Sequence, residues 1–315
     1  MLRYQQTATV GTPWPESPHA PYTARNPHRW LKRTTKICAI GSCFATNFSR
    51  WISQQGVPVI SPPWGLHYNS TTIRDELDMM EAHTKLPIYW EVVGKNGASK
   101  FLDAKRHPIS AGTLVSLVEH SQRLEAQAAC ALETADAFII TLGLSEIWEQ
   151  RIGNQWHVIN RAPPLTLREQ ANAVLRTRYQ SVEEIVKDLR RIVESIDTDV
   201  NHHRPITFTV SPVPLKTTGS GLDPRVANMR SKAILLTALH EFLDTIEPDR
   251  RPHLSYFPSF EQFFHVEPGA QIWQSDGRHI TARKIDSVCR SFCEMYGAED
   301  EENFPSLPDF EVPSV

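Results

Sequence analysis

The sequence predicts an α/β domain, a three-layer sandwich in which helices cover both faces of a mostly parallel β-sheet. Two observations predict it. Short apolar runs alternate with segments of helical period along the 315 residues, which is typical of parallel strands joined by helical crossovers. The runs are apolar at successive positions rather than at every second one, as expected for strands that are buried on both faces.

Five apolar runs bounded by turn residues are predicted to be the strands of this sheet. They are residues 36–41, 57–60, 137–142, 206–211 and 254–257. A small β-hairpin insertion is predicted at 147–159, where the pattern alternates around Gly153 and Asn154, residue types that are common in tight turns.

Segments with an apolar stripe at helical spacing follow the strands. The first helix is predicted to begin after Ser42, and the second to be capped by Ser70 and to run to about Ala82. The others are predicted at 111–132, 182–196, 226–246 and 281–296.

Three regions of the chain differ in composition. Residues 1–35 are rich in Pro, Thr and His and are expected to form an irregular arm on the domain surface. Residues 36–297 are predicted to be the catalytic domain. Residues 298–315 are acidic and punctuated by Pro, so a loosely attached tail is expected there.

The charge balance argues against nucleic acid as a partner. The 33 Lys and Arg residues nearly match the 36 Asp and Glu residues, and the formal net charge is −3, so no strongly basic surface is expected. The longest mostly apolar stretch, 137–144, is far shorter than the roughly 20 residues that a membrane helix needs. The first residues lack the apolar core of a secretory signal, so a cytoplasmic location is expected. The oligomeric state stays open.

The five cysteines form no recognisable metal or redox motif. Cys38, Cys43, Cys130, Cys289 and Cys293 include no CxxC pair, which argues against a zinc ribbon or a thioredoxin-type site. Two of them lie four residues apart in the last predicted helix, as expected of core or half-buried thiols in a reducing compartment.

Ser42 is the first candidate catalytic residue. It lies in the segment 41–45, directly after the first predicted strand and at the start of a helix. A tight turn exposes the hydroxyl there, and the free N–H groups and positive dipole end of the helix can stabilise an oxyanion. The alternative is that Ser42 only caps the helix, which is the commonest role of serine at this position.

Asp276 and His279 are candidate partners of such a serine. A nucleophilic serine needs a base, and the base needs a carboxylate that orients it. The two residues lie three apart, just before the last predicted helix, so both side chains can face the same side of a compact loop. The alternative is a surface Asp-Gly turn followed by an unrelated histidine.

Three further loops follow predicted strands, and ligands of parallel sheets bind at the carboxyl ends of the strands. The segments are 64–69, 141–146 and 211–214. Their candidates for substrate binding are Trp64, His67, Gly143, Glu146 and Pro212. Each loop alone also fits a purely structural role.

The order of these segments resembles that of one protein family. The pentapeptide GSCFA at 41–45 is rare, and WGLHYN, TLGLSEIW, FTVSPVPL, SKAILL and YFPSFE follow it in the order expected of the family. The chain is therefore similar to the GSCFA family over roughly residues 36–290. That family resembles a branch of the SGNH/GDSL-type serine hydrolases. The resemblance implies a flavodoxin-like sheet and neither a metal nor an organic cofactor.

The resemblance also implies roles for individual residues. Ser42 corresponds to the nucleophile, His279 to the base and Asp276 to the residue that orients the base. The oxyanion donors would be the Ser42 N–H and two further groups. Gly65 matches the glycine that SGNH enzymes use, but Ser145 stands where an asparagine is usual, so either Ser145 or Asn69 is expected to replace it.

The combined observations predict a serine esterase or O-acyltransferase that acts on an O-acylated carbohydrate or another small ester. Trp64, Trp148, Trp156 and Trp273 lie in predicted loops or in the hairpin, where an indole can stack on a sugar or support the core. Two alternatives stay open. A helix N-terminus lowers the pKa of a thiol, so Cys43 is a second candidate nucleophile. The departure at Ser145 also fits a module that binds a glycan or a protein without catalysis.

Overall fold

The computed structural model describes residues 14–15, 22, 28–60, 65–78, 86–94, 97–164, 174–197, 203–246, 253–264, 266 and 269–298. The strands are β1 (Ile37–Gly41), β2 (Val59–Ile60), β3 (Tyr89–Val93), β4 (Ser99–Asp103), β5 (Ser110–Ala111), β6 (Ala137–Leu142), β7 (Glu146–Ile152), β8 (Gln155–Ile159), β9 (Leu175–Tyr179), β10 (Ile206–Val210) and β11 (Leu254–Phe257). The helices are α1 (Cys43–Gln54), α2 (Ser70–Leu77), α3 (Leu114–Thr134), α4 (Val182–Ile196), α5 (Pro224–Asp244) and α6 (Ala282–Tyr296). None of the helices in these ranges is long and apolar enough to cross a membrane.

The five strands predicted from the sequence form one sheet in which every neighbouring pair is parallel. The spatial order is β11-β10-β6-β1-β2. Numbered along the chain within this sheet, the order is 2-1-3-4-5, which doubly wound sheets of the flavodoxin type share. The prediction of an α/β fold with a parallel sheet is confirmed.

The direction in which the sheet grows reverses between β1 and β6. The chain passes from β1 outward to β2 at one edge, then returns to β6 and continues through β10 to β11 at the other edge. Sheets of this kind bind ligands in the crevice outside the carboxyl ends of the strands at such a point. Because Gly41 is paired with Thr141, the residues that follow β1 and β6 begin at the same level.

Side chains of the sheet alternate between two hydrophobic clusters, one on each face. Ile37 and Ala39 of β1 pack with α1 and α6, whereas Cys38 and Ile40 pack with α2, α3, α4 and α5. Burying one large aliphatic or aromatic side chain stabilises a fold by roughly 1.5–3 kcal/mol, so strands that are apolar at every position hold helices on both faces. This explains the three layers.

Two small antiparallel sheets accompany the central one. The predicted hairpin consists of β7 and β8 around the turn at Gly153 and Asn154, and this prediction is confirmed. β9 pairs with the other edge of β7, and β3, β4 and β5 form the second small sheet. None of the strands β3, β4, β5 and β9 is predicted from the sequence. The two arginines of β9, Arg176 and Arg178, both form ion pairs with Glu149 of the neighbouring strand β7. These ion pairs neutralise charges that are unusual in a strand.

The predicted helices are confirmed, with changes at their ends. Asn69 rather than Ser70 caps α2, since its side-chain oxygen accepts a hydrogen bond from the Thr72 N–H at 2.9 Å. Ser70 is the first residue of the helix, and its hydroxyl donates to Asp188 of α4 at 2.7 Å. α2 ends at Leu77, and most of the predicted continuation falls at positions outside the described residues.

The end of the predicted N-terminal arm packs on the end of α6. Leu31 is fully buried, and its N–H donates to the Tyr296 carbonyl oxygen at 2.8 Å. Trp30 packs against the rings of Phe292 and Tyr296. Most of the arm before residue 28 and the predicted tail from residue 299 lie outside the described residues.

We expect Gly41→Ala to destabilise the protein by at least about 2 kcal/mol. Gly41 ends β1 at φ +140°, which L residues rarely adopt, and an added Cβ would lie 2.1 Å from the Thr141 carbonyl oxygen of β6. Gly56→Ala is the matched control, since Gly56 has φ +84° but open space around an added Cβ. Urea unfolding should show a loss of only about 1 kcal/mol for the control. If both variants lose the same free energy of unfolding, β1 and β6 can move apart to fit the added Cβ without a loss of stability.

Candidate active site

A cavity of about 470 Å³ opens at the carboxyl ends of β1 and β6. Its volume lies within the range of roughly 300–1,000 Å³ that is usual for small-molecule sites. Loops after β1, β6, β8 and β10, together with the loop before α6, contribute to its wall. Its lining includes Ser42, Asn69, Gly143, Arg161, Arg278 and His279.

Ser42 connects the end of β1 to the first turn of α1 and borders this cavity. Its backbone is extended, with φ −75° and ψ −178°, and its Oγ accepts a hydrogen bond from the Phe44 N–H at 3.3 Å. Ser42 therefore does cap the helix, but the same position leaves it in the wall of the cavity. Its own N–H directly follows the last ladder position, where Gly41 is paired with Thr141 of β6. A Cβ placed on Gly143 would lie 3.4 Å from the Ser42 Cβ, so the ends of β1 and β6 meet here.

Asp276 holds both the backbone and the ring of His279. Its Oδ1 accepts hydrogen bonds from the N–H groups of His279 and Arg278 at 2.9 and 3.0 Å, and its Oδ2 contacts His279 Nδ1. The backbone N–H groups of His279 and Arg278 lower the pKa of Asp276 to about 2. The carboxylate is thus ionised at neutral pH and can orient the imidazole through its Nδ1–H.

The other ring nitrogen of His279 faces an arginine. Arg278 Nη2 lies 2.8 Å from His279 Nε2, and Arg278 Nη1 donates to the Pro214 carbonyl oxygen at 3.4 Å. A guanidinium stays protonated and has no acceptor, so Nε2 must accept and Nδ1 must carry the ring proton. This tautomer, assigned from the hydrogen-bond partners, is the one in which a histidine acts as a base through Nε2.

The structure places Ser42 and His279 in the wall of one cavity, with Asp276 bound to the far side of the His279 ring. No hydrogen bond joins Ser42 Oγ to His279 in this arrangement, in which Arg278 contacts Nε2. Hydrogen bonds between catalytic groups are often long until the substrate binds, so both residues remain candidates.

Asn69 is the predicted oxyanion donor that the structure places in the cavity wall. Its side-chain oxygen is taken by the Thr72 N–H at 2.9 Å, which fixes the orientation of the amide group. Its Nδ2 then carries two N–H donors that no described residue accepts. This leaves Asn69 able to donate to a bound oxygen.

Ser145 and Gly65, the other two predicted oxyanion donors, are not in the lining of the cavity. Ser145 is fully buried, and its hydroxyl donates to the Ser231 carbonyl oxygen of α5 at 3.2 Å. Gly65 precedes Leu66, whose N–H donates to the His107 carbonyl oxygen at 2.7 Å. Ser145 therefore joins the end of β6 to α5, and Gly65 lies beside the backbone of His107.

Cys43 lines the cavity beside Ser42. Burial raises the pKa of its thiol, and the nearby charges of Lys232 and Arg278 oppose this only in part. The thiolate, not the thiol, is the reactive form of cysteine. The position at a helix N-terminus therefore does not activate Cys43 here, because burial is the larger effect.

Two of the predicted substrate-binding residues, Gly143 and Glu146, line the cavity. The carboxylate of Glu146 accepts hydrogen bonds from Thr218 Oγ1 at 2.6 Å and the Gly219 N–H at 2.7 Å, so it holds the loop after β10. His67 and Pro212 are buried and are not in the lining of the cavity.

The predicted tryptophans divide in the same way. Trp148 lines the cavity. Trp156 lies under the guanidinium of Arg176 at 4.1 Å, and Trp273 packs against Phe263, so neither offers its ring to the cavity. Trp64 lies outside the described residues.

Lys232 of α5 lies beneath the site and was not identified from the sequence. Its fully buried ammonium donates to the carbonyl oxygens of Gly143 and Val213 at 2.6 and 3.2 Å. Burial lowers the pKa of Lys232 to about 7. A lysine on the apolar face of a predicted helix is the signal that would have found it, because a buried charge is costly unless it has partners.

Tyr68, from the predicted loop 64–69, also lines the cavity, as do His107 and Arg161, which are not candidates in the sequence. Burial, with a smaller effect of the Arg161 charge, lowers the pKa of His107 to about 4, so its ring is neutral at pH 7. Burial raises the pKa of Tyr68 to about 12, so its side chain is a neutral phenol. No sequence signal connects the three, because they come from separate loops.

We expect the stability difference between the wild type and Lys232→Met to depend on pH. The native pKa of Lys232, about 7, lies below its ordinary value of 10.5. Between these values the unfolded chain binds more protons, so wild-type stability rises with pH by up to ~1.4 kcal/mol per unit. Urea unfolding at pH 7, 8 and 9 should show this rise relative to Lys232→Met. The exposed Lys187→Met is the control; a Lys232 difference that does not change with pH would contradict the low native pKa.

A model of the GSCFA family matches residues 36–292, which is most of the chain. No curated protein sequence and no solved structure gives a significant match. The matched region runs from β1 into α6 and contains Ser42, Asn69, Asp276 and His279. The chain therefore belongs to the GSCFA family.

Proposed function

We propose that the protein is a serine hydrolase or acyltransferase that acts on an ester through an acyl-enzyme at Ser42. The observation that carries this proposal is the orientation and tautomer of the His279 ring. Asp276 orients its ring, and its Nε2 is an acceptor within the cavity that Ser42 also lines. The contact between Asp276 and His279 is that of a Ser-His-Asp triad, and the contact between His279 Nε2 and Ser42 Oγ would have to form when the substrate binds. The resemblance of the GSCFA family to SGNH/GDSL-type hydrolases, for which a flavodoxin-like sheet is expected, agrees with it.

In the proposed reaction His279 acts first as a base. Its Nε2 takes the proton from Ser42 Oγ as Oγ forms a bond to the carbonyl carbon of the ester. The ionised Asp276 stabilises the imidazolium that results. The bond from the carbonyl carbon to the leaving oxygen then breaks, and Nε2 returns the proton to that oxygen. This leaves the acyl group on Ser42.

The oxyanion of the tetrahedral intermediate needs donors that are already in place. Asn69 Nδ2 belongs to the cavity wall and donates to no described residue, and the Ser42 N–H lies in the same wall at the start of α1. The Gly143 N–H does not qualify, since it donates to the Tyr68 carbonyl oxygen at 3.1 Å. We therefore propose that the Ser42 N–H and Asn69 Nδ2 donate hydrogen bonds to the oxyanion.

The acceptor of the acyl group decides between an esterase and an acyltransferase. Water gives hydrolysis, and a sugar hydroxyl gives an O-acylated carbohydrate by the same chemistry at Ser42. Trp148 contributes an indole to the cavity wall, and indole rings can stack on sugars. This favours an O-acylated carbohydrate or a similar small ester as the substrate.

A binding module without catalysis is the second candidate function. The observation that favours it is the position of Arg278, which occupies His279 Nε2 and leaves Ser42 without a free base. Acyl transfer through Cys43 is less well supported, because burial keeps its thiol protonated.

Labelling with a neutral fluorophosphonate, followed by mass spectrometry, tests the proposed nucleophile. We expect an adduct on Ser42 in the wild type and in Cys43→Ala, and none in Ser42→Ala. His279→Ala should label at least about a hundredfold more slowly, because general-base catalysis is lost. Cys43→Ala is the matched control from the same turn. An adduct on Cys43 would move the chemistry to the thiol, and no adduct on a folded wild type would favour the binding module.

Asn69→Asp separates oxyanion binding from helix capping. An aspartate keeps an acceptor for the Thr72 N–H, so the melting temperature should stay close to that of the wild type. It removes the amide donor, so kcat for 4-nitrophenyl butyrate should fall on the order of a hundredfold. Ser145→Ala should lower kcat by less than about threefold, since its hydroxyl is bound to Ser231. A larger fall in kcat for Ser145→Ala than for Asn69→Asp would indicate that Ser145, not Asn69, donates to the oxyanion.

A further inference from the structure

The cavity holds more positive than negative side chains. Among the described residues of its wall, Arg161, Lys216 and Arg278 are cationic, and Glu146 is the only acidic one. Glu146 binds the loop after β10 through both carboxylate oxygens and forms no ion pair with a described cation. A ligand in this cavity therefore meets positive charge that the wall does not neutralise.

Arg161 differs from the other arginines that are partly buried. Arg74 pairs with Asp188 at 2.7 Å, Arg106 with Glu76 at 2.9 Å, and Arg191 with Asp78 at 2.6 Å. No described carboxylate or carbonyl group accepts a hydrogen bond from Arg161, although it is half-buried in the cavity wall. A charge that is partly removed from water is normally paired with an opposite charge. The Arg161 guanidinium therefore fits a site in which the ligand supplies the negative charge.

Arg278 is the second arginine of the wall, and its partners are weak ones. They are the neutral Nε2 of His279 and the Pro214 carbonyl oxygen, which lies at 3.4 Å. Charge-assisted hydrogen bonds to a carboxylate or a phosphate are roughly twice as strong as bonds to neutral acceptors. Arg161 and Arg278 both line the cavity, together with Tyr68.

We propose that Arg161 and Arg278 form an anion subsite that binds a carboxylate or phosphate group of the substrate, and that the bound anion draws Arg278 away from His279 Nε2. The first part concerns binding alone. The second part rests on the proposed function, because it matters only if His279 is the base for Ser42.

The subsite links substrate recognition to activation of the serine. Without an anion, Arg278 occupies the lone pair that must accept the Ser42 proton. With an anion bound, that lone pair becomes free while the substrate is held beside Ser42. The proposed substrate class is therefore an ester that carries a carboxylate or a phosphate. A neutral ester would react more slowly, because Arg278 would occupy His279 Nε2 most of the time.

Calorimetric titration with glutarate and with inorganic phosphate, at constant ionic strength, tests the binding part. We expect the Kd of at least one anion to rise tenfold or more in Arg161→Met and in Arg278→Met. Arg151→Met is the matched control, an exposed arginine of β7 outside the cavity wall, and should bind as the wild type does. Tighter binding of glutarate assigns a carboxylate, and tighter binding of phosphate assigns a phosphate. No binding to the wild type, or an unchanged Kd in Arg161→Met, would overturn the subsite.

The rate of Ser42 labelling by a neutral fluorophosphonate tests the second part. Arg278→Met should label at least fivefold faster than the wild type and Arg151→Met, because Nε2 is no longer covered. An equal or slower rate would overturn it. If Arg278→Met does not fold, Arg278→Lys keeps the charge but loses the planar pair of donors, and it should also label faster while binding the anions more weakly than the wild type.

The two measurements separate this inference from the proposed function. Anion binding that depends on Arg161, together with a Ser42 that resists labelling in every variant, would support the subsite and contradict the serine chemistry. Labelling of Ser42 without anion binding would support the serine chemistry and contradict the subsite.

Discussion

The parallel pairing of β1 with β6 is the contact on which the candidate site depends. It sets Gly41 beside Thr141, so that Ser42 and Gly143 leave neighbouring strands at the same level. Hydrogen bonds then join the loop before α2 to the carboxyl ends of both β1 and β6. The His67 N–H donates to the Gly41 carbonyl oxygen at 2.8 Å, and the Tyr68 carbonyl oxygen accepts the Leu144 N–H at 2.6 Å. Backbone hydrogen bonds thus fix three segments of the cavity wall relative to one another.

Buried polar side chains support this wall from below. Lys232 binds the carbonyl oxygens of Gly143 and Val213, and thereby joins the loops after β6 and β10 to α5. Asn160 accepts the Tyr68 N–H at 2.9 Å and so joins the loop before α2 to the end of β8. A buried polar group that loses its partner is costly, so each of these contacts resists displacement of the loop that it holds. Such support keeps candidate catalytic groups in position before a substrate arrives.

The charge of the whole chain and the charge of the cavity have opposite signs. The chain carries a formal net charge of −3, yet the cavity wall holds three cationic side chains and one acidic side chain among its described residues. The acidic residues elsewhere pair with other arginines, as Glu149 does with Arg176 and Arg178. A molecule in this cavity would respond to the side chains that line it, because exposed charges further away are screened by solvent and salt.

Local patterns in the sequence determined the five central strands, most helix positions, and the candidates Ser42, Asp276 and His279. These features depend on runs of apolar residues or on residues only three apart, so their physical cause is contained in a short segment. Only the tertiary structure decided that Asn69 faces the cavity while Ser145 turns to Ser231, that Arg161 lines the cavity, and that Lys232 lies beneath it. Lys232 reaches Gly143 across 89 residues of sequence. The direction of a side chain, and the partner that it meets there, depend on how distant segments pack against each other, which no local pattern contains.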